Sequence, residues 1–190
     1  ALRSPGTRER LLSEVRDTRG GRESDEVRDV EKMPFLAACV DETLRLTPPT
    51  LISLRWLARE TTVAGHALAA GTIVAPCAYL AHRSASTYPD PHTFRPERFI
   101  GGDPGPNRYF PFGGGIRHCL GAGFSAYEMK VVLAAVLERF EVELVNGRAA
   151  ISRRRGIVVA PSCGVPVVVR LRGTKRPPGA TVAALRGGDS

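Results

Sequence analysis

The sequence has no Cys-x-x-Cys pair, and its four cysteines, Cys39, Cys77, Cys119 and Cys163, are widely spread. A structural zinc site built from paired thiolates is therefore not encoded. An even number of cysteines argues for disulfides only in a secretory context, and no secretory segment is visible. There is also no run approaching the ~20 apolar residues that cross a bilayer. The expectation is a cytoplasmic chain without a transmembrane segment. Aromatic residues make up only 6%, and none interleaves with the densest basic cluster, Arg153-Arg154-Arg155. The net charge of +8 and pI of about 9.9 thus do not read as nucleic-acid binding. An acidic protein partner or an anionic surface would suit the charge.

What is present is enough for one ordinary domain: 190 residues, 43% of them hydrophobic, with no internal repeat. The chain opens on Ala1 rather than methionine, which reads as a piece of a longer polypeptide. Leu2, Leu11, Leu12 and Val15 predict a helix over residues 1–17. Residues 18–32 read as a solvated connection with a short helical turn at 25–30. Pro34 opens a second helix, patterned by Phe35, Leu36, Cys39, Val40, Thr43 and Leu44 and stopped by Pro48-Pro49. Strand-like runs at 51–58, 61–63 and 72–74, with turns at Gly65-His66 and Ala70-Gly71, predict a small antiparallel sheet. Seven prolines between Pro76 and Pro111 leave room only for short helical pieces. Residues 122–140 predict the strongest helix, apolar nearly all round from Val131 to Leu137 and so buried. Residues 141–145 and 157–171 read as strands that Pro161 and Pro166 confine.

Three stretches can carry chemistry. The first, "FGGGIRHCLG" at residues 112–121, sets a thiol just before that helix. It is not a phosphate loop, because no Gly-Lys-Ser/Thr follows the glycines. A cysteine nucleophile is one reading, since a helix N-terminus with Arg117 and His118 favours thiolate. A metal ligand is another, because the glycines let a large flat cofactor approach the backbone. A plain turn before a buried helix is the third. The second stretch is Glu42-Thr-Leu-Arg45, whose ends lie side by side on a helix. The helical wheel puts Glu42 at the edge of the apolar stripe and Arg45 beyond it, as in a solvated surface pair. The third is Phe94-Arg-Pro-Glu-Arg-Phe99, where two aromatics anchor a loop stiffened by Pro96 and hold Arg98 near the protein.

Taken together, Glu42-x-x-Arg45, Pro96-Glu97-Arg98-Phe99 and Phe112-x-x-Gly115-x-Arg117-x-Cys119-x-Gly121 resemble the haem-thiolate cytochrome P-450 monooxygenases in order and spacing. The resemblance runs from about Leu2 to Leu171. It implies a fold that is mainly α with small antiparallel β-sheets, the C-terminal part of the cytochrome P-450 fold, over residues 1–172. Residues 173–190 are expected to be a disordered tail. It implies haem b (iron protoporphyrin IX) with Cys119 as axial thiolate and catalytic residue, electron-rich enough to favour O–O cleavage in O2. Phe112 then packs near haem and sulfur, Arg117 and Arg55 meet the propionates, and Gly115 and Gly121 give the loop room. Glu42, Arg45 and Arg98 become a buried acid–base triad, reversing the surface reading. Leu51, Ile52 and Leu54 become walls of the pocket for an apolar small-molecule substrate. A ferredoxin- or reductase-type electron donor, acidic where this chain is basic, would dock on the cysteine side.

Members of that family are much longer. The long helix that delivers protons to oxygen, and most substrate-recognition loops, have no counterpart here. This chain is expected to cover one haem face and leave the oxygen side open. Two other readings stand beside it: a truncated, non-catalytic haem-binding chain, and an enzyme using Cys119 and His118 as nucleophile and base.

Overall fold

A computed structural model describes residues 4–19, 26–102, 104–145, 151–162 and 165–173. The helices are α1 (Pro5–Arg19), the single turn α2 (Glu26–Asp29), α3 (Pro34–Leu46), α4 (Ala78–Ala81) and α5 (Ala122–Arg139). Four two-stranded antiparallel sheets accompany them. They pair β1 (Arg55–Trp56) with β4 (Ile73–Val74), and β2 (Thr61–Val63) with β3 (His66–Leu68). Further along, β5 (Phe140–Leu144) pairs with β8 (Val167–Leu171), and β6 (Ser152–Arg155) with β7 (Val158–Pro161). The architecture is mainly α with small antiparallel sheets, as the sequence implied. The expected tail beyond Gly173 lies outside the described residues.

α3 is the centre of the structure. One side of it, with Phe35, Leu36 and Cys39, packs with Leu11 and Val15 of α1, with Val30 and Met33, and with Ala134 of α5. Ala38 on another side meets Tyr88, Phe99 and Tyr109 from the proline-rich segment. A helix enclosed this way needs its free terminal N–H groups satisfied, and Met33 before it offers no side-chain cap. Glu14 of α1 supplies the cap from a distance. Its carboxylate accepts the N–H of Phe35 (2.8 Å) and of Leu36 (2.7 Å). The negative charge also sits favourably at the positive end of the helix dipole.

Three expectations need correction, and one strand was not expected. The first turn of the sheet region is Ala64-Gly65 rather than Gly65-His66: both residues have positive φ (50° and 83°), and His66 already pairs with Val63. This two-residue geometry matches the twist of a hairpin. The run 51–58 makes a ladder only at Arg55–Trp56, apart from an isolated bridge between Ile52 and Cys77. Its partner β4 ends before Pro76, which cannot donate to a ladder. β6 was hidden because Ser-Arg-Arg-Arg lacks apolar alternation. Finally, α5 is not buried all round. Only Ala134 is fully enclosed, while Phe124 (69%), Val132 (53%) and Leu133 (41%) are exposed. α1 and α3 cover one face of α5, and nothing among the described residues covers the other.

The cap gives a direct test of how α1 and α3 are joined. Glu14→Ala removes an acceptor from two amide groups at once and is expected to lower unfolding free energy by about 1–2 kcal/mol in urea titration.

Candidate functional site

The loop before α5 is closed by its own backbone. The N–H of Cys119 donates to the carbonyl of Phe112 (3.0 Å), and the N–H of His118 donates to that of Gly115 (3.0 Å). Gly113 (φ 76°) and Gly115 (φ 64°) take left-handed conformations that glycine adopts without steric cost. A Cβ on Gly114 or Gly115 would meet no atom within 4 Å, and one on Gly121 would stand 3.9 Å from Cys119 Sγ. The glycines thus leave open space on one side of the loop. Cys119 is exposed at its end, one residue before Leu120, which is as exposed as Ile116.

That space is a pair of adjoining hollows that share Arg55, Gly114 and Gly115. The larger, about 620 Å³, is bordered also by Leu54, Trp56, Ile116 and Arg117. Sequence residues 55 and 117 are therefore brought to one cavity. Arg55 donates from Nη1 to the Leu54 carbonyl (2.9 Å), and neither guanidinium faces a carboxylate among the described residues. Two cations without anions beside an open hollow suit a dianionic ligand. Among the described residues, Cys119 belongs to no cluster of three or more His, Cys, Asp or Glu that could hold a metal. The nucleophile reading finds no support in geometry, since His118 and Cys119 share no hydrogen bond among the described residues.

The strand entering this cavity has a clear register. Leu51, Ser53, Arg55 and Leu57 are half-buried, whereas Ile52, Leu54 and Trp56 are exposed. Ile52 and Leu54 therefore share an open apolar face, and Leu51 lies on the other one. Trp56 extends that face by one position, a residue that sequence reasoning passed over although the alternation contained it.

Glu42 and Arg45 have no exposed surface. Glu42 takes two hydrogen bonds from the Arg45 guanidinium, from Nε at 2.6 Å and Nη2 at 2.8 Å. Arg98 Nε stands 3.5 Å from Glu42 Oε1, and the backbone N–H of Arg95 donates to the same oxygen (2.8 Å). Arg45 Nη1 reaches onward to the carbonyls of His82 and Pro91, both at 2.7 Å. Glu42 and Arg45 are therefore buried together, and Arg98, only half-buried, stands beside them. The anchors around it also hold: Phe94 packs on the main core and Phe99 on the second cluster.

His82 is the residue that sequence reasoning missed. It is buried, and its Nε2 accepts the N–H of Phe110 (2.9 Å), two residues before the loop that carries Cys119. A lone histidine between an alanine and an arginine gives no signal in the sequence. Burial, with Arg45 and Arg83 nearby, lowers its pKa from 6.5 to about 4. Cys39, by contrast, is a core thiol that burial pushes up to about 12.

Comparison with known proteins decides among the readings. The family model described as cytochrome P-450 matches residues 2–164. This chain belongs to the cytochrome P-450 family. A Mycobacterium tuberculosis protein named as cytochrome P-450 135B1 is 39% identical over 136 residues, which are 72% of this chain and 29% of that protein. A Drosophila melanogaster protein named as cytochrome P-450 4aa1 is 34% identical over 147 residues, 76% of this chain and 29% of that one. Among solved structures, the cytochrome P-450 CYP102L1 superposes with a TM-score of 0.80 at 30% identity, over 90% of this chain and 39% of the other. The retinoic acid-bound cyanobacterial CYP120A1 gives 0.78 at 30% identity, over 87% and 39%. This chain thus spans about a third of the cytochrome P-450 proteins it resembles. No helix among its described residues is long and apolar enough to cross a membrane.

The neutral state of His82 makes a pH prediction. Its folded pKa lies below its unfolded one, so its contribution is complete above pH 6.5 and is lost as the pH falls toward 4. In urea titrations across that window, His82→Gln is expected to lose stability less steeply than the parent. Parallel slopes would show that His82 protonation does not drive the loss.

Proposed function

We propose that this chain is the haem-ligating portion of a cytochrome P-450 monooxygenase, with Cys119 as the axial thiolate. One observation carries the reading: an exposed thiol just before α5 borders a floor of bare glycines and a hollow flanked by Arg55 and Arg117, neither of which faces a carboxylate among the described residues. A haem fits that donor set, because it brings its own nitrogen ligands and carries two carboxylates. Arg55 and Arg117 would meet those carboxylates, Phe112 and Gly115 would shape the face of the loop toward it, and Gly121 keeps a side chain away from the sulfur. When bound, haem b supplies the iron chemistry that activates O2 for insertion of one oxygen atom into an apolar substrate. The exposed row Ile52, Leu54 and Trp56 offers that substrate an apolar wall, with Leu51 behind it.

The remaining roles follow from the same reading. The Glu42–Arg45–Arg98 triad holds the segment before the loop in place. Electrons come from a ferredoxin- or reductase-type protein drawn to the basic cysteine side. Because the chain spans only 29% of the curated relatives, what we assign to it alone is haem ligation, and the oxygen chemistry belongs to the whole enzyme.

The test is the absorption spectrum of the haem-loaded, dithionite-reduced and CO-bound protein. A strongly red-shifted Soret band is expected from thiolate ligation, and Cys119→Ser is expected to abolish the shift while haem uptake persists. The same red-shifted band in Cys119→Ser would remove Cys119 from the iron.

A further inference from the structure

The second hollow beside Arg55 contains polar groups that the proposed site does not use. It measures about 380 Å³ and is bordered by Ser53, Pro76, Pro106, Asn107 and Phe110 as well as the shared glycines. Ser53 reaches it because it lies two residues from Arg55 on the same side of an extended strand. Its N–H is committed to the Pro76 carbonyl (2.9 Å), which fixes the backbone and leaves the hydroxyl to the cavity. A Cβ on Gly113 would stand 3.8 Å from Ser53 Oγ, so the hydroxyl lies directly over the glycine turn.

Asn107 reaches the same hollow from a tight turn. The N–H groups of Arg108 and Tyr109 both donate to the Gly105 carbonyl at 3.0 Å, with Gly105 at φ 97°. Tyr109 then ties this turn to α3 through its hydroxyl, which donates to Asp41 Oδ1 (2.9 Å). Ser53 and Asn107 therefore line one hollow, and Arg55 lines both it and the next.

Resting on the reading of Arg55 and Arg117 as carboxylate partners, we infer that Ser53 and Asn107 hold one haem propionate, while Arg117 holds the other. A haem carries its two carboxylates on neighbouring arms, and two hollows that share one arginine match that pair. Ser53 and Asn107 donate hydrogen bonds without adding charge, and Arg55 supplies the charge between them. Ser53 and Asn107 are thus positioning residues for the cofactor rather than catalytic ones.

The experiment compares haemin with haemin dimethyl ester, which has the same ring but no carboxylates. Both are titrated into the parent chain and into Ser53→Ala/Asn107→Ala. The double variant is expected to bind haemin about tenfold more weakly. Its affinity for the ester should be unchanged, and Ser53→Thr should keep most of the haemin affinity. Equal weakening toward both ligands would mean a merely structural role and overturn the inference. An unaltered preference for haemin over its ester would overturn it as well, while leaving the assignment of Cys119 intact. A parent chain that takes up neither ligand would overturn both the inference and the proposed site.

Discussion

The carboxylate of Glu42 is the point on which the rest of this structure depends. It lies fully buried on α3 with Arg45 one turn away, both carrying charge in an interior that penalises it. The pair is tolerated because every direction is answered. Arg45 holds the carboxylate in a two-pronged grip and donates to the carbonyls of His82 and Pro91. Arg98 and the Arg95 amide complete the shell around the carboxylate. Removing one partner from such a network costs about 3–5 kcal/mol, because the survivor is left charged and unpaired.

The network matters through what it holds. The segment between α4 and the cysteine loop has little regular structure to bind it, since its prolines remove backbone donors. It is fastened instead by side chains: Arg45 to its start, Glu42 to its middle, and Asp41 to the Tyr109 hydroxyl. His82 passes the constraint on by accepting the amide of Phe110. From Phe110 the backbone turns directly into the loop that presents Cys119, and the Phe112 carbonyl closes that loop on the cysteine amide. A helix in the core thereby fixes the position of an exposed sulfur.

Much of this was legible in the sequence because the signals were local. α3 carries its own stop and start prolines, and its observed limits coincide with them. The cysteine loop declares itself by glycines whose backbone only glycine adopts easily. Burial of Glu42 and Arg45 was not legible from periodicity, which put them at the stripe's edge. It depends on a segment far along the chain folding back over them, as the Arg45–Pro91 and Glu42–Arg95 bonds show, 46 and 53 residues apart. His82 and the Glu14 cap were invisible for the same reason, as each acts on a backbone amide distant in sequence. The apolar character of α5 was read correctly, but its burial needs neighbours that the described residues do not supply. The family membership accounts for that, since solved relatives are more than twice as long as the part aligned here.

The central claim is that the triad holds the cysteine loop in position. Amide hydrogen exchange in Glu42→Gln, which keeps shape and removes charge, tests it most directly. The account predicts faster exchange at Phe110 and Cys119 while the amides that α1 buries against α5 stay protected. Unchanged protection at Phe110 and Cys119 in that variant would contradict it.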